Sequence, residues 1–310
     1  MVEPAAVKRV LITGGSGFIG KKLVEELLKR GDLVTVLTRD VGRAKEQLPS
    51  AVRVAAWNPY EEGAWCDEVD VVDAVVHLAG ELVVKRWTDK TKAEIVRSRV
   101  DSTRMLVAAM GRAKHKPATL VSASAIGYYG PTEPQVQLDE SFAAGTDFLA
   151  GVVARWEEAA REAETHGIRA VQVRIGVVFG EGGGALSAMV TPFKLFAGGP
   201  IGSGDQVISW VHRNDVVGIM LLAIDSEDVH GAINATSPNP ATSKEVAEAI
   251  GMVLNRPSWF RTPEALLKMR FGEAAQVLTT GQRVYPKRAA ELGYEFEYAQ
   301  LVPALESILA

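Results

Sequence analysis

Apolar and polar positions change period repeatedly along this chain. Arg9–Thr13 is an apolar run too brief for a helix and reads as a buried strand. Phe18, Ile19, Leu23, Val24, Leu27 and Leu28 then recur on one helical face, so Gly17–Arg30 reads as an amphipathic helix ended by Gly31. Leu33–Thr38 and Val52–Ala56 read as the second and third strands. Val71–Leu78, the fourth, is nearly all apolar, as expected where both faces of a sheet are covered. Thr88–Ala113 reads as one long helix and Thr119–Ser122 as a fifth strand. Phe148–His166 reads as a helix closed by Gly167, and Ala170–Ile175 as a sixth strand. Strict β-α-β alternation predicts an α/β fold with a doubly wound parallel sheet and right-handed crossovers.

After Gly180 the texture loosens. Gly182-Gly183-Gly184 and Gly198-Gly199-Pro200-Ile201-Gly202-Ser203-Gly204 are loop-rich, and Ser243–Leu254 reads as a helix. From Arg256-Pro257 onward, Pro263, Pro286 and Pro303 punctuate a run of short helices. The expected organisation is a sheet domain over 8–235, with a lid and substrate region inserted from about 180, and a small helical tail over 255–310.

The balance of 34 Lys+Arg against 38 Asp+Glu, a net charge of −4, argues against nucleic acid or an anionic membrane as the main partner. A single cysteine, Cys66, excludes an internal disulfide and a cysteine metal cage and suits a reducing compartment. The histidines at 77, 115, 166, 212 and 230 lack ligand spacing, so no metal site is expected. No apolar run of about 18 residues is present, so no membrane span is expected. Met1–Ala6 lacks a basic region followed by an apolar core, and a cytoplasmic protein is the default expectation.

Chemistry enters at Thr13-Gly14-Gly15-Ser16-Gly17-Phe18-Ile19-Gly20, between the first strand and first helix. Glycines at 14, 17 and 20 have the spacing of a Rossmann-type dinucleotide turn, where a pyrophosphate lies on bare backbone N–H groups at a helix start. The acid that usually holds the ribose 2′-hydroxyl ends the second strand. That place holds Thr38, followed by Arg39. A hydroxyl and a guanidinium bind a 2′-phosphate that a carboxylate would repel, which favours NADP over NAD. Asp40 comes one residue too late for the ribose and fits an N-cap.

With these residues the chain resembles an extended short-chain dehydrogenase/reductase of the epimerase type. Thr13–Gly20 carries the glycine motif, and His77-Leu78-Ala79-Gly80 resembles the turn under the adenosine and ribose. Arg99-Val100-Asp101-Ser102-Thr103 stands where that family has Asn-Val-x-Gly-Thr. Val121-Ser122-Ala123-Ser124 resembles the strand bearing the active-site hydroxyl. Arg174–Gly180 stands where nucleotide-sugar epimerases read Arg-x-x-Asn-Val-Tyr-Gly, and His212-Arg213-Asn214-Asp215 resembles their His-x-x-Asp segment. Gly80-Glu81, Arg86-Trp87, Ser98-Arg99-Val100, Trp156-Glu157 and Gly182–Ala185 resemble more closely an atypical subgroup of epimerase family proteins, some of them labelled cell-division inhibitors. The resemblance implies an NADP-binding oxidoreductase or epimerase with contacts at Gly14, Ser16, Gly17, Phe18, Ile19, Gly20, Thr38, Arg39, Leu78, Ala79, Gly80, Ser122, Ile175 and Val178. It also implies a monomer, or a homodimer through Thr88–Ala113 and Phe148–His166.

One departure changes the picture. The family's acid/base is a Tyr with a Lys four residues later, the ammonium lowering the phenol pKa. The corresponding helix begins Phe148-Leu149-Ala150-Gly151-Val152-Val153, and the chain contains no Tyr-x-x-x-Lys. Candidates to replace the pair are Tyr128 and Tyr129, either as acids or as cleft-wall packing, with Ser124 binding a substrate oxygen. His212 is a base or a structural partner, and Glu81 and Arg86 face a ligand or solvent. Arg99, held by Glu94, grips a phosphate or ribose or forms a surface ion pair. Two functions remain open: an NADP-dependent enzyme acting on an unknown small molecule, and a non-catalytic NADPH-binding regulator.

Overall fold

The computed structural model describes residues 7–310, so the N-terminal segment read for a targeting signal, Met1–Ala6, lies outside the described residues. The chain runs β1 (Arg9–Thr13), α1 (Phe18–Lys29), β2 (Leu33–Thr38), α2 (Val41–Gln47), β3 (Arg53–Ala56), α3 (Trp65–Val69) and β4 (Ala74–His77). It continues through α4 (Asp89–Arg97), α5 (Val100–Arg112), β5 (Thr119–Ala125), β6 (Gln137–Leu138), α6 (Phe148–Arg161), β7 (Arg169–Ile175) and β8 (Val177–Phe179). After these come α7 (Gly184–Lys194), β9 (Val207–Ile208), β10 (Trp210–His212), α8 (Arg213–Asp225), β11 (Gly231–Ala235), β12 (Ala241–Thr242) and α9 (Ser243–Leu254). The tail holds α10 (Glu264–Phe271), α11 (Gln276–Thr279), β13 (Arg283–Val284), α12 (Lys287–Glu291) and α13 (Leu301–Leu309).

Seven parallel strands form the central sheet in the order β11-β7-β5-β4-β1-β2-β3. Its core strands are buried on both faces, which is why Val10–Ile12 and Ala74–Val76 read as continuous apolar runs. One face packs Leu23, Val24 and Leu27 of α1 with Val216, Ile219 and Met220 of α8. The other packs Leu106, Val107 and Met110 of α5 with Trp65 and Ala160. The seventh strand, β11, comes from beyond Gly180, where sequence periodicity showed no strand. No helix among the described residues is long and apolar enough to cross a membrane.

The long helix expected over Thr88–Ala113 is two helices, broken at Ser98-Arg99. The Ser102 hydroxyl bonds back to Ser98 O at 2.7 Å and the Thr103 hydroxyl to Arg99 O, a pattern that competes with the helical ladder and bends it. Phe148–His166 likewise ends its α-helix at Arg161 and finishes as a 3₁₀ turn to His166, with Gly167 left-handed.

The tail is tied to the sheet domain at several places. β13 pairs in parallel with β6, α13 packs on α9, and Asp215 of α8 is a clasp. Asp215, fully buried, accepts from Glu297 N at 2.8 Å, Tyr298 N at 3.1 Å and the Tyr294 hydroxyl at 3.1 Å. His212 caps α8 by accepting from Asn214 N at 3.1 Å and lies 4.0 Å from the Tyr298 ring. The His-x-x-Asp segment is therefore the joint between domain and tail, with His212 in the structural role.

Candidate functional site

The carboxyl ends of β1 and β4 lie side by side where the strand order reverses, the place where an open parallel sheet leaves a crevice. Gly14, at φ +72°, lines it, and a Cβ there would stand 2.9 Å from the Leu78 carbonyl carbon. A Cβ on Gly20 would strike the Gly14 carbonyl, so both positions need a bare backbone. Gly17 N donates to Gly14 O at 2.9 Å and closes the turn. Gly17 itself is exposed and caps α1 with no side-chain bond, and the first turn of α1 holds no acid. The helix thus begins as a bare, positively polarised end, between half-buried Ser16 and Ile19.

The Phe18 ring packs under the loop after β8. Cβ atoms on Gly183 and Gly184 would come within 2.8 Å of it, so it clamps the loop after β8 and leaves only its backbone to the turn. Arg213 reaches over the same ring at 4.8 Å and donates to Glu181 O at 2.9 Å, and its buried Nε has no hydrogen-bond partner among the described residues. Sequence reading passed over Arg213; only the folded contact with Phe18 places its charge beside the glycine turn.

Beneath the turn, Thr13, His77 and Ser102 are buried and hydrogen-bonded in series, Thr13 Oγ1 to His77 Nδ1 at 2.6 Å and His77 Nε2 to Ser102 Oγ at 3.4 Å. Burial and then the Arg99 charge push His77 down to about 4, so it is neutral. At the end of β2, Thr38 Oγ1 accepts from Asp40 N at 3.2 Å, and Asp40 caps α2 by accepting from Arg43 N at 3.0 Å. Arg39 is exposed. It adds to the pull on Glu81, whose carboxyl lies below the usual range chiefly through its Lys85 hydrogen bond.

After β4, Leu78 N donates to Thr13 O at 3.1 Å and Ala79 N to Thr13 Oγ1 at 3.3 Å. Gly80 sits on the Arg99 guanidinium, 3.3 Å from a Cβ position to Cζ. Arg99 occupies the break between α4 and α5, 5.2 Å from the Trp156 ring. Burial lowers its pKa to about 10. Glu94 does not hold it: that carboxylate reaches half-buried Lys85 at 3.5 Å.

The Ser124 hydroxyl is committed elsewhere. It donates to Glu157 Oε1 at 2.6 Å, and Glu157 receives Arg174 Nε at 2.8 Å and Nη2 at 2.9 Å, a buried bidentate pair. Arg174 Nη1 donates to the Tyr129 hydroxyl at 3.0 Å, and Tyr129 donates to Asn234 Oδ1 at 2.8 Å. Burial pushes the Tyr129 phenol up to about 12. Tyr128 lies face-on to the Arg174 guanidinium at 3.5 Å. The Ser122 hydroxyl, also buried, turns to Ala123 O at 3.1 Å. Of the two tyrosines expected as acids or as packing, Tyr129 has both hydroxyl roles filled, and neither ring lines the cavity described next. Glu157 and Arg174 were missed as partners because they are far apart in sequence and meet only across α6 and β7.

That cavity, of about 220 Å³, lies between Arg99, Ala125–Gly127 at the end of β5, the start of α6, Gly176–Val177 and the tail. Ile95, Leu149, Val152 and Val153 make it apolar; Arg99, Asp147 and the tail's Gln276, Thr280 and Gln282 are its polar lining. Ile175 and Val178 flank Gly176–Val177 half-buried. Phe148 and Val152 belong to an apolar cluster with Trp87, Ile95, Phe271 and Ala274, Phe148 standing 5.1 Å from the Trp87 ring. Lys92 stands 5.4 Å from the Phe148 ring and pairs with Glu273 at 2.6 Å, fastening the tail there. Among the described residues no three His, Cys, Asp or Glu side chains could hold a metal ion.

Comparison with known proteins agrees with this architecture. A family model described as NAD dependent epimerase/dehydratase matches residues 10–235, and a domain of unknown function matches 262–308. The chain is 41% identical over 306 residues to a chloroplastic epimerase family protein, the SDR39U1 homolog of Arabidopsis thaliana, covering 97% of this chain and 86% of the relative. It is 36% identical to epimerase family protein YfhF of Bacillus subtilis, with 97% and 98% covered. The crystal structure of human epimerase family protein SDR39U1 with NADPH superimposes with a TM-score of 0.84 at 34% identity, over 97% of this chain and 98% of that one. With the glycine turn, the seven-strand sheet and relatives of this identity along nearly its whole length, the chain belongs to the NAD dependent epimerase/dehydratase family.

Proposed function

We propose that this protein is an NADP(H)-dependent oxidoreductase of the epimerase family that works without a Tyr–Lys acid/base pair. The observation that carries the reading is the glycine cradle, whose Gly14 and Gly20 leave no room for a Cβ, beside a cavity that Arg99 and Asp147 line. The cradle fits the group: N–H donors of Ser16 and Phe18–Gly20 stand at the open start of α1, with the unpaired Nε of Arg213 close by. Thr38 and exposed Arg39 would take a 2′-phosphate, and the NADPH-bound human relative supports that choice. When bound, such a cofactor gives or takes a hydride.

The chain's own part is to orient and exclude water. Leu149, Val152 and Val153 keep one end of the cavity dry, and Arg99 offers a positive charge where a substrate oxygen gains negative charge. Small carbonyl compounds are the expected substrates. Steady NADPH oxidation by a panel of aldehydes and ketones, with product identified, tests this; NADPH binding without turnover across the panel defeats it.

A second reading is a non-catalytic NADPH-responsive regulator. Phe271 and Ala274 of the tail pack on Trp87 and Val152 beside the cavity, so occupancy of the cleft has a direct route to the tail. A tail whose protease sensitivity changes with NADPH, with no hydride transfer, supports that reading.

A further inference from the structure

Where the tail leaves α9, large apolar side chains face solvent together. Leu195, Phe196, Met252, Trp259 and Phe260 are 61% to 79% exposed, Trp259 the most. Backbone contacts join their three segments. Phe260 N donates to Gly198 O at 3.0 Å and Thr262 N to Pro200 O at 2.9 Å, laying Trp259–Phe260 along the loop that follows Phe196. Arg256 N donates to Gly251 O at 2.8 Å, beside Met252 at the end of α9, and the Arg256 guanidinium lies 4.5 Å from the Phe196 ring. Phe196 ends α7 in a Schellman turn, its N–H donating to Phe193 O and the Ala197 N–H to Pro192 O, both at 2.9 Å. That turn needs a left-handed residue where glycine is usual; here it is phenylalanine at φ +59°, its ring outside.

Single exposed apolar residues are ordinary, but adjoining ones mark an interaction surface. The charge around these is one-sided. Between Met252 and Arg270 stand Arg256, Arg261, Lys268 and Arg270 against Glu264 alone, and Lys194 precedes Leu195. All five cations are exposed, and among the described residues only Lys268 pairs with a carboxylate, Glu264 at 3.3 Å.

We propose that this face attaches the protein to an anionic phospholipid surface, with Leu195, Phe196, Trp259 and Phe260 entering the boundary between headgroups and acyl chains while the flanking cations meet lipid phosphates. The whole-chain charge of −4 argues against such a surface as the main partner, but screening makes the local balance decide, and that balance is positive. Aromatic and aliphatic side chains with basic flanks are what an interfacial anchor requires. A second copy of the chain fits less well, because a two-fold contact would bring one basic face against another. A folded partner would need a surface shaped to receive side chains protruding from three segments, whereas a fluid lipid boundary admits them without one.

Trp259 supplies the reporter, because the other tryptophans, Trp57, Trp65, Trp87, Trp156 and Trp210, are buried. The full chain is mixed at low salt with vesicles of phosphatidylcholine and phosphatidylglycerol in equal parts, or of phosphatidylcholine alone, and followed by co-sedimentation and by tryptophan emission with acyl-brominated lipid as quencher. Binding to the mixed vesicles is expected to be at least tenfold tighter and to weaken with added salt, with a blue-shifted emission that bromine quenches. Trp259→Ser should abolish the shift and the quenching. Arg256→Glu with Arg261→Glu should lower vesicle affinity at least tenfold while Tm and NADPH affinity stay at wild-type values. Absence of binding to the mixed vesicles overturns the proposal, as does equal binding to both kinds, and neither result needs a variant to fold. Binding without quenching places the contact on another face and overturns it too. So does a dimer of the free chain that the double arginine variant dissolves, with no vesicle binding. Whether NADPH binds leaves this proposal untouched and bears on the cofactor reading alone.

Discussion

Thr13 Oγ1 and His77 Nδ1 are hydrogen-bonded at 2.6 Å beneath the glycine turn. Thr13 Oγ1 also accepts from Ala79 N–H at 3.3 Å. The Ser102 hydroxyl passes its proton to Ser98 O at 2.7 Å, so its oxygen meets His77 Nε2 at 3.4 Å as an acceptor; this assigns the imidazole proton to Nε2 and leaves Nδ1 to accept from Thr13. The series ties β1, β4 and the break before α5 into one rigid floor, and it works only while His77 is neutral.

That requirement predicts acid sensitivity. His77 and His212 are both pushed from 6.5 to about 4, chiefly by burial. A depressed histidine pKa means the unfolded chain binds the extra proton, so stability is fully present above pH 6.5 and falls as pH drops toward 4. Each histidine contributes a slope of about 1.4 kcal/mol per pH unit inside that window. Half-buried Glu140 and buried Asp215, held above the usual carboxylate range, act in the opposite sense at the acid end. The difference between wild type and His212→Asn, whose side chain can still cap α8, isolates the histidine share. Urea melts from pH 5 to 7 should show the variant losing stability about 1 kcal/mol per unit less steeply.

The glycine turn separates a structural residue from a binding one. Gly20→Ala places a methyl against the Gly14 carbonyl and should cost about 1–3 kcal/mol, lowering Tm visibly. Gly17→Ala meets only Gly14 O at 3.1 Å, at an exposed position. Its Tm should stay near wild type while NADPH affinity, read by nicotinamide fluorescence, falls at least tenfold.

The Ser124–Glu157–Arg174–Tyr129 series should behave as architecture. Glu157→Ala leaves the Arg174 charge buried alone and is expected to cost about 3–5 kcal/mol in chemical denaturation. Replacing Glu157 and Arg174 together by Met should recover most of that loss. Tyr129→Phe, which strands the Asn234 acceptor and one Arg174 N–H, should cost about 1–3 kcal/mol. A Tyr129→Phe protein of unchanged stability would mean that the phenol is free for other work.

Much of this was legible in the sequence because it is local. The strand runs, the turn glycines, the Asp40 cap and the missing Tyr-x-x-x-Lys each depend on neighbours a few residues apart. The α4–α5 break depends on where two hydroxyls find acceptors, which periodicity does not record. Glu157 with Arg174, Arg213 over Phe18, and Asp215 with the tail are long-range contacts, invisible until α6, β7 and α8 are placed. Both tyrosine rings lie against Arg174, a contact that their sequence position beside Ser124 does not reveal.

The central claim is a cradle selective for the phosphorylated dinucleotide. Fluorescence titration of NADPH and NADH into wild type and Arg39→Ala tests it most directly. The account predicts NADPH at least tenfold tighter than NADH in wild type, a preference that shrinks with added salt, and near-equal affinities in the variant. Equal affinities in wild type, or an Arg39→Ala protein that keeps the full preference, would contradict it.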